Sequence, residues 1–142
     1  GCAGGLLSNC TSFSAFFIYK FTSDKFQGGD GSEVVGNLAA DVPKGSQPKL
    51  YSVFSWGTPG GSDGHTGVIL GIHGDTVIVG QASCGSTGSG AGDGVTYNDG
   101  AAIIRIGKIN DGAAYFGTVP THFAYPRNVN VNAIQEYINA AS

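Results

Sequence analysis

His65-Thr66-Gly67-Val68-Ile69-Leu70-Gly71-Ile72-His73-Gly74-Asp75-Thr76-Val77-Ile78-Val79-Gly80-Gln81-Ala82-Ser83 is the stretch whose reading decides the fold. Two runs rich in β-branched residues, 65–72 and 76–83, flank a tight polar segment, which is the pattern of a β-hairpin. A three-residue loop His73-Gly74-Asp75, with Gly74 free to adopt positive φ, pairs Ile72 with Thr76. Carried along the strands, this register sets Gln81 opposite Gly67 and Ser83 opposite His65. His65, Gln81 and Ser83 then share one face, and Gly67 leaves room for Gln81 to lean toward the imidazole. A slip of one residue would separate them.

Working outward, 50–56 is rich in aromatic and β-branched residues and reads as a strand, followed by a glycine-rich turn over 57–64. Downstream, 85–100 reads as a glycine-rich surface loop, 101–107 as a strand, and 122–127 as a short strand that Pro126 stops. Upstream, Asn9 and Ser8 are helix-capping types, and Phe13, Phe16, Phe17 and Phe21 recur at helical spacing, predicting a helix over about 9–22. A short second helix over 32–40 has Ser32 as its cap and Val34, Val35 and Leu38 inward, and Val42-Pro43 ends it. A closing helix over about 131–140 carries Ile134, Tyr137 and Ile138 on one face. The expected class is α+β, in a single domain over residues 1–142 with a flexible N-terminal segment at 1–7.

Composition narrows the function. Twenty-five glycines and 12% charged residues in 142 suggest many tight turns and few solvated helices. Seven Lys and Arg against ten Asp and Glu, without a basic run, give no footprint for nucleic acid. No stretch is long and apolar enough to cross a bilayer. No His, Cys and carboxylate group has the spacing of a metal site, so neither a metal nor a cofactor is expected. Asp24, Asp30, Asp63, Asp93 and Asp99 fall in turns, where aspartate commonly bonds its own backbone. A monomer is expected. Cys2, Cys10 and Cys84 are odd in number, which leaves one over from any pairing. Cys10 is the candidate free thiol, and a Cys2–Cys84 disulfide would suit an exported protein.

Cys10 opens the first helix, where unpaired N–H groups and the macrodipole favour an anion. His65 follows a glycine-rich loop at the start of a strand, a position both exposed and rigid. Cys10 as nucleophile, His65 as base and Gln81 as orienter form the parts of a covalent hydrolase, with Asn9 and Ser83 as supporting polar residues. The amide oxygen of Gln81 can accept the imidazole N–H and set its tautomer. On that reading Gln81→Glu preserves or raises activity by adding charge beside a forming imidazolium. The plainer reading makes Cys10 a structural residue beginning a core helix. His73 and His122 read as surface or edge residues, and Trp56 as a core residue or a groove wall.

Asn9-Cys10-Thr11-Ser12-Phe13, Gly64-His65-Thr66-Gly67-Val68-Ile69, Gln81-Ala82-Ser83 and Phe123-Ala124-Tyr125-Pro126-Arg127 resemble, in order, the landmarks of the CHAP family of cysteine amidases and peptidases. Pro48-Lys49 also fits, and the resemblance spans most of 8–127. It implies a papain-like fold with the cysteine helix packed on an antiparallel sheet, and cleavage of amide bonds in bacterial peptidoglycan by an endopeptidase or an N-acetylmuramoyl-L-alanine amidase. It also implies a secreted or cell-wall location, or a lytic module of a phage or conjugation system. By this match Cys10 is the nucleophile and His65 the base. Gln81 and Ser83 stand where the family commonly has Glu and Asn, and Thr66 where it has valine. The neutral pair leaves a second expectation, a catalytically silent wall-binding or structural domain.

Overall fold

The computed structural model describes residues 9–26, 28–61, 64–82, 94–97 and 102–141. Asn9 caps α1 (Cys10–Phe21) through a reciprocal box: its Oδ1 accepts the Ser12 N–H at 2.8 Å, and its own N–H donates to Ser12 Oγ at 3.2 Å. The helix buries Phe17, Ile18 and Phe21, with Phe13 and Phe16 half-buried beside them. Each phenylalanine so buried contributes about 1.5–3 kcal/mol. Thr22 ends the helix, its hydroxyl donating to Ile18 O at 2.7 Å.

The second helix is shorter than its sequence suggests. Gly31–Glu33 is a 3-10 turn that starts at Asp30, and α2 spans Val34–Asn37. Val34, Val35 and Leu38 are buried as expected. Leu38 is already extended, so the helix stops four residues before Val42-Pro43.

The strands are β1 (Lys44–Gly45), β2 (Val53–Trp56), β3 (His65–His73), β4 (Thr76–Ala82), β5 (Gly94–Tyr97), β6 (Ala102–Lys108) and β7 (His122–Ala124). They form one antiparallel sheet in the order β1-β7-β2-β3-β4-β6-β5. The α+β class holds. Within the expected glycine-rich loop, however, 94–97 pairs with β6, because Val95-Thr96-Tyr97 supplies enough β propensity to extend the sheet. The remainder of that loop, the 1–7 segment, Ser83, Cys2 and Cys84 lie outside the described residues.

The expected three-residue hairpin loop is corrected to two residues. His73 pairs with Thr76, leaving Gly74-Asp75 as the turn, with Gly74 at φ +61. A bulge then shifts the register between Ile69 and Gly71, so that Val68 pairs with Gly80. The turn is one residue tighter and the bulge one residue longer, so the two cancel. Carried one residue further, the pairing sets Gly67 opposite Gln81, as the sequence reading required.

The sheet separates two apolar layers. On one face α1, α2 and α3 (Val131–Ala141) pack on Val53, Val68 and Ala124. On the other, a 3-10 turn at Gly112–Tyr115 places Ala114 and Tyr115 against Phe54, Ile69, Val77, Val79 and Phe123. Strand alternation assigns Thr66 and Val68 to the helical face and His65, Gly67 and Ile69 to the other.

Asp24 corrects the reading of the turn aspartates. Its carboxylate is 2% exposed and accepts Arg127 Nη2 at 2.6 Å and Nε at 3.0 Å through Oδ1, and the Arg127 backbone N–H at 2.6 Å through Oδ2. It joins the end of α1 to the segment before α3. Asp24→Ala strands those donors and is expected to lower unfolding free energy by about 2–4 kcal/mol in urea titrations. A loss no larger than that of a typical surface substitution would contradict this role.

Candidate active site

Two side chains join the Cys10 helix to the His65 strand. Ser14, one turn after Cys10, and Thr66, one residue after His65, share a buried hydroxyl–hydroxyl hydrogen bond of 2.9 Å. A third element closes the corner, since a Cβ added to Gly31 would lie 2.7 Å from His65 Cα. Only glycine lets that backbone approach so closely.

Cys10 is half-buried and a free cysteine among the described residues. It lines a cleft of about 740 Å³ with Asn9, Thr11, Ser12, Tyr19, Phe26, Gly28, Gly29, Asp30, Gly31, Gly61 and Gly64. The wall opposite the helix is mostly glycine, leaving a path bounded by backbone, and Asp30 is its charged side chain among the described residues. Cys10 and Thr11, both lining this cleft, lie in the first helical turn, where their N–H groups have no intrahelical partners. Asn9 therefore supports the site as the cap that orients that turn.

His65 and Gln81 meet on one sheet face, as their register requires. Nε2 of His65 lies 2.8 Å from Oε1 of Gln81, and Nε2 of Gln81 donates to Ala114 O at 2.8 Å. The second bond fixes the first. A carbonyl can only accept, so the NH2 of Gln81 faces Ala114 and its oxygen faces the imidazole. The ring therefore carries its proton on Nε2, and Nδ1 holds a lone pair. Burial pushes the His65 pKa down to about 4, against the opposing pull of the Gln81 hydrogen bond. The exposed position expected for His65 is corrected: the residue is 5% exposed, because the rings of Phe54, Trp56 and Phe116 enclose it.

The imidazole does not face the Cys10 sulfur as expected. Sγ approaches Thr11 Oγ1 at 3.9 Å, and no hydrogen bond joins it to His65 among the described residues. The physical reason is parity: Thr66 reaches the helix, so the side chain before it turns to the far face of the strand. Cys10 and His65 share a corner of the sheet from either side of the β3 backbone.

The surroundings of Gln81 argue against the expected benefit of Gln81→Glu. Gln81 is fully buried, and a carboxylate would lose the donor to Ala114 O and oppose one oxygen with another. Gln81→Glu is expected to cost about 1–3 kcal/mol of stability at neutral pH and to lower any activity. Equal melting temperatures for both proteins would contradict this.

Trp56 has a structural bond, its Nε1 donating to Tyr115 O at 2.8 Å. His73 and His122 are exposed. No cluster of three His, Cys, Asp or Glu residues suited to a metal occurs among the described residues, nor is any described helix long and apolar enough to cross a membrane. Sequence reasoning missed Ser14, Ala114 and Phe116. Asp111-Gly112 before an apolar run, with Gly117 after it, was the available sign of the short helix that carries the last two. No family model, curated protein or solved structure matches this chain.

Proposed function

We propose that the chain is a cysteine amidase or peptidase with a papain-like, CHAP-type arrangement, acting on amide bonds of bacterial peptidoglycan outside the cytoplasm. The observation that carries this reading is the tautomer set by the Ala114–Gln81–His65 chain of hydrogen bonds, which leaves a lone pair on Nδ1, in a residue that directly follows Gly64 of the cleft holding the free Cys10. A neutral imidazole with its proton held on Nε2 and a lone pair on Nδ1 is the form in which histidine acts as a general base. The peptidoglycan substrate rests on the sequence resemblance and on a cleft walled by glycine, which suits an extended peptide with small side chains.

In this mechanism the His65 imidazole edge and the Cys10 sulfur, which lie on either side of β3, must close on one another at the sheet corner when substrate binds; Nδ1 then takes the thiol proton as Sγ attacks the amide carbonyl carbon. The N–H groups of Cys10 and Thr11 hold the oxyanion. Nδ1 then passes its proton to the departing amine, the C–N bond breaks, and a thioester remains. Water attacks the thioester with Nδ1 again as base, and returns a carboxylate and the thiol.

Burial of the imidazole favours a second reading, a silent wall-binding domain in which His65 and Gln81 serve packing. Incubating the protein with purified muropeptides and identifying new termini by mass spectrometry separates the two. New amine and carboxyl termini made by the native chain support the enzyme. Binding to sacculi without new termini supports the silent domain.

A further inference from the structure

Phe116 has a backbone conformation that residues other than glycine avoid, with φ 64 and ψ 22. Three successive carbonyls just before it each accept a side-chain donor from the sheet. Ala113 O takes Arg105 Nη1 at 3.3 Å, Ala114 O takes Gln81 Nε2 at 2.8 Å, and Tyr115 O takes Trp56 Nε1 at 2.8 Å. The segment is thus held from β6, β4 and β2 at once. The outcome is a ring laid nearly parallel to the imidazole, with centroids 5.1 Å apart and planes at 23°. Packing alone does not call for this, because an aromatic side chain fills an apolar layer from ordinary backbone geometry.

We propose that Phe116 is a positioning residue for His65, fixing the plane of the imidazole so that Nε2 stays on Gln81 while Nδ1 remains available as a base. One hydrogen bond leaves the ring free to pivot about the Nε2···Oε1 line. A flat surface parallel to the ring removes that pivot. Strain is tolerated at sites where the surroundings over-determine the conformation, and three carbonyl clamps supply that here. The catalytic part of this role rests on the hydrolase reading; the positioning part does not.

The groups facing the imidazole are few. Phe54 and Trp56 from β2 carry no charge, and Gln81 from β4 is neutral. The Arg105 guanidinium from β6 lies 4.7 Å from the Phe116 ring centroid, and Tyr115, its phenol pushed up to about 12 by burial, is neutral at ordinary pH. Cys10 and Asp30 line the cleft beyond Gly31 and Gly64.

The test is ¹⁵N NMR of the histidine rings in the full chain, native and variant. Phe116→Gly removes the ring together with the left-handed strain, so the fold is expected to persist. Phe116→Leu keeps apolar bulk without a flat face and makes the same comparison if the glycine variant does not fold. Native His65 is expected to show the Nε2–H tautomer and to titrate near 4. In Phe116→Gly the midpoint is expected to rise by about one pH unit or more as water reaches the ring, in both variants both tautomers are expected to be populated, and Phe116→Tyr is expected to restore the native behaviour. On a cleaved muropeptide, Phe116→Gly is expected to lower kcat about tenfold or more with KM within about twofold. An unchanged midpoint and tautomer in a folded variant lacking the ring overturns the proposal whether or not hydrolysis is found. A shifted tautomer in a chain that cleaves nothing upholds the positioning and overturns the hydrolase reading.

Discussion

Cys10→Ala is expected to lower muropeptide cleavage by about 10⁴-fold or more while leaving the fold intact. The size follows from the role, since removing the nucleophile deletes the covalent route and leaves only binding and the oxyanion donors. The intact fold follows from the position. Cys10 is the first residue of α1, its sulfur has one long hydrogen bond among the described residues, to Thr11, and the cap belongs to Asn9 and Ser12. The variant should therefore unfold within about 0.5 kcal/mol of the native chain in urea. Cys10→Ser should behave the same way, because a hydroxyl in that place is a far weaker nucleophile under a neutral imidazole. Full cleavage by a well-folded Cys10→Ala protein would remove the cysteine from the mechanism.

The second large effect is on acid stability, and it holds whether or not the chain is an enzyme. His65 has a folded pKa of about 4, below its ordinary 6.5, because burial disfavours the imidazolium. Between those values the unfolded chain binds the proton and the folded chain does not. Stability therefore rises with pH across this window, is complete above about 6.5, and is lost as pH falls toward 4. The full loss from this residue is about 3 kcal/mol, at 1.36 kcal/mol per pH unit of displacement. The measurement is the difference between native and His65→Gln chains in urea titrations from pH 7 to pH 4, which cancels the acid dependence the two chains share. The native chain is expected to lose about 3 kcal/mol more than the variant over that range. Parallel profiles would show that His65 is not buried as a neutral imidazole. For the proposed enzyme, the same displacement puts the acid limb of kcat/KM near pH 4 rather than near 6.5, since Nδ1 accepts a proton only while the ring is neutral.

The chain by itself determined the features that depend on neighbours a few residues apart. Asn9 and Ser12 cap α1 because a capping box needs only three residues, and the phenylalanine spacing marks the helix because its period is local. The hairpin, and the shared face of His65 and Gln81, were legible because strand side chains alternate with a period of two. Even there the route was misread. The turn has two residues rather than three, and the bulge after Ile69 restores the register. The bulge leaves little local mark, because the run through Leu70-Gly71 reads equally well as straight strand. Tertiary structure alone decided the rest. Asp24 finds Arg127 across 103 positions, and the Gly112–Tyr115 turn brings Ala114 O onto Gln81 and Phe116 onto His65. It also decided that α1 packs on the face of Thr66 rather than that of His65. The hydrophobic effect is non-directional, so an apolar stripe states that a helix will be buried but not against which face. That choice rests on long-range fits such as Ser14 with Thr66, which no local pattern records.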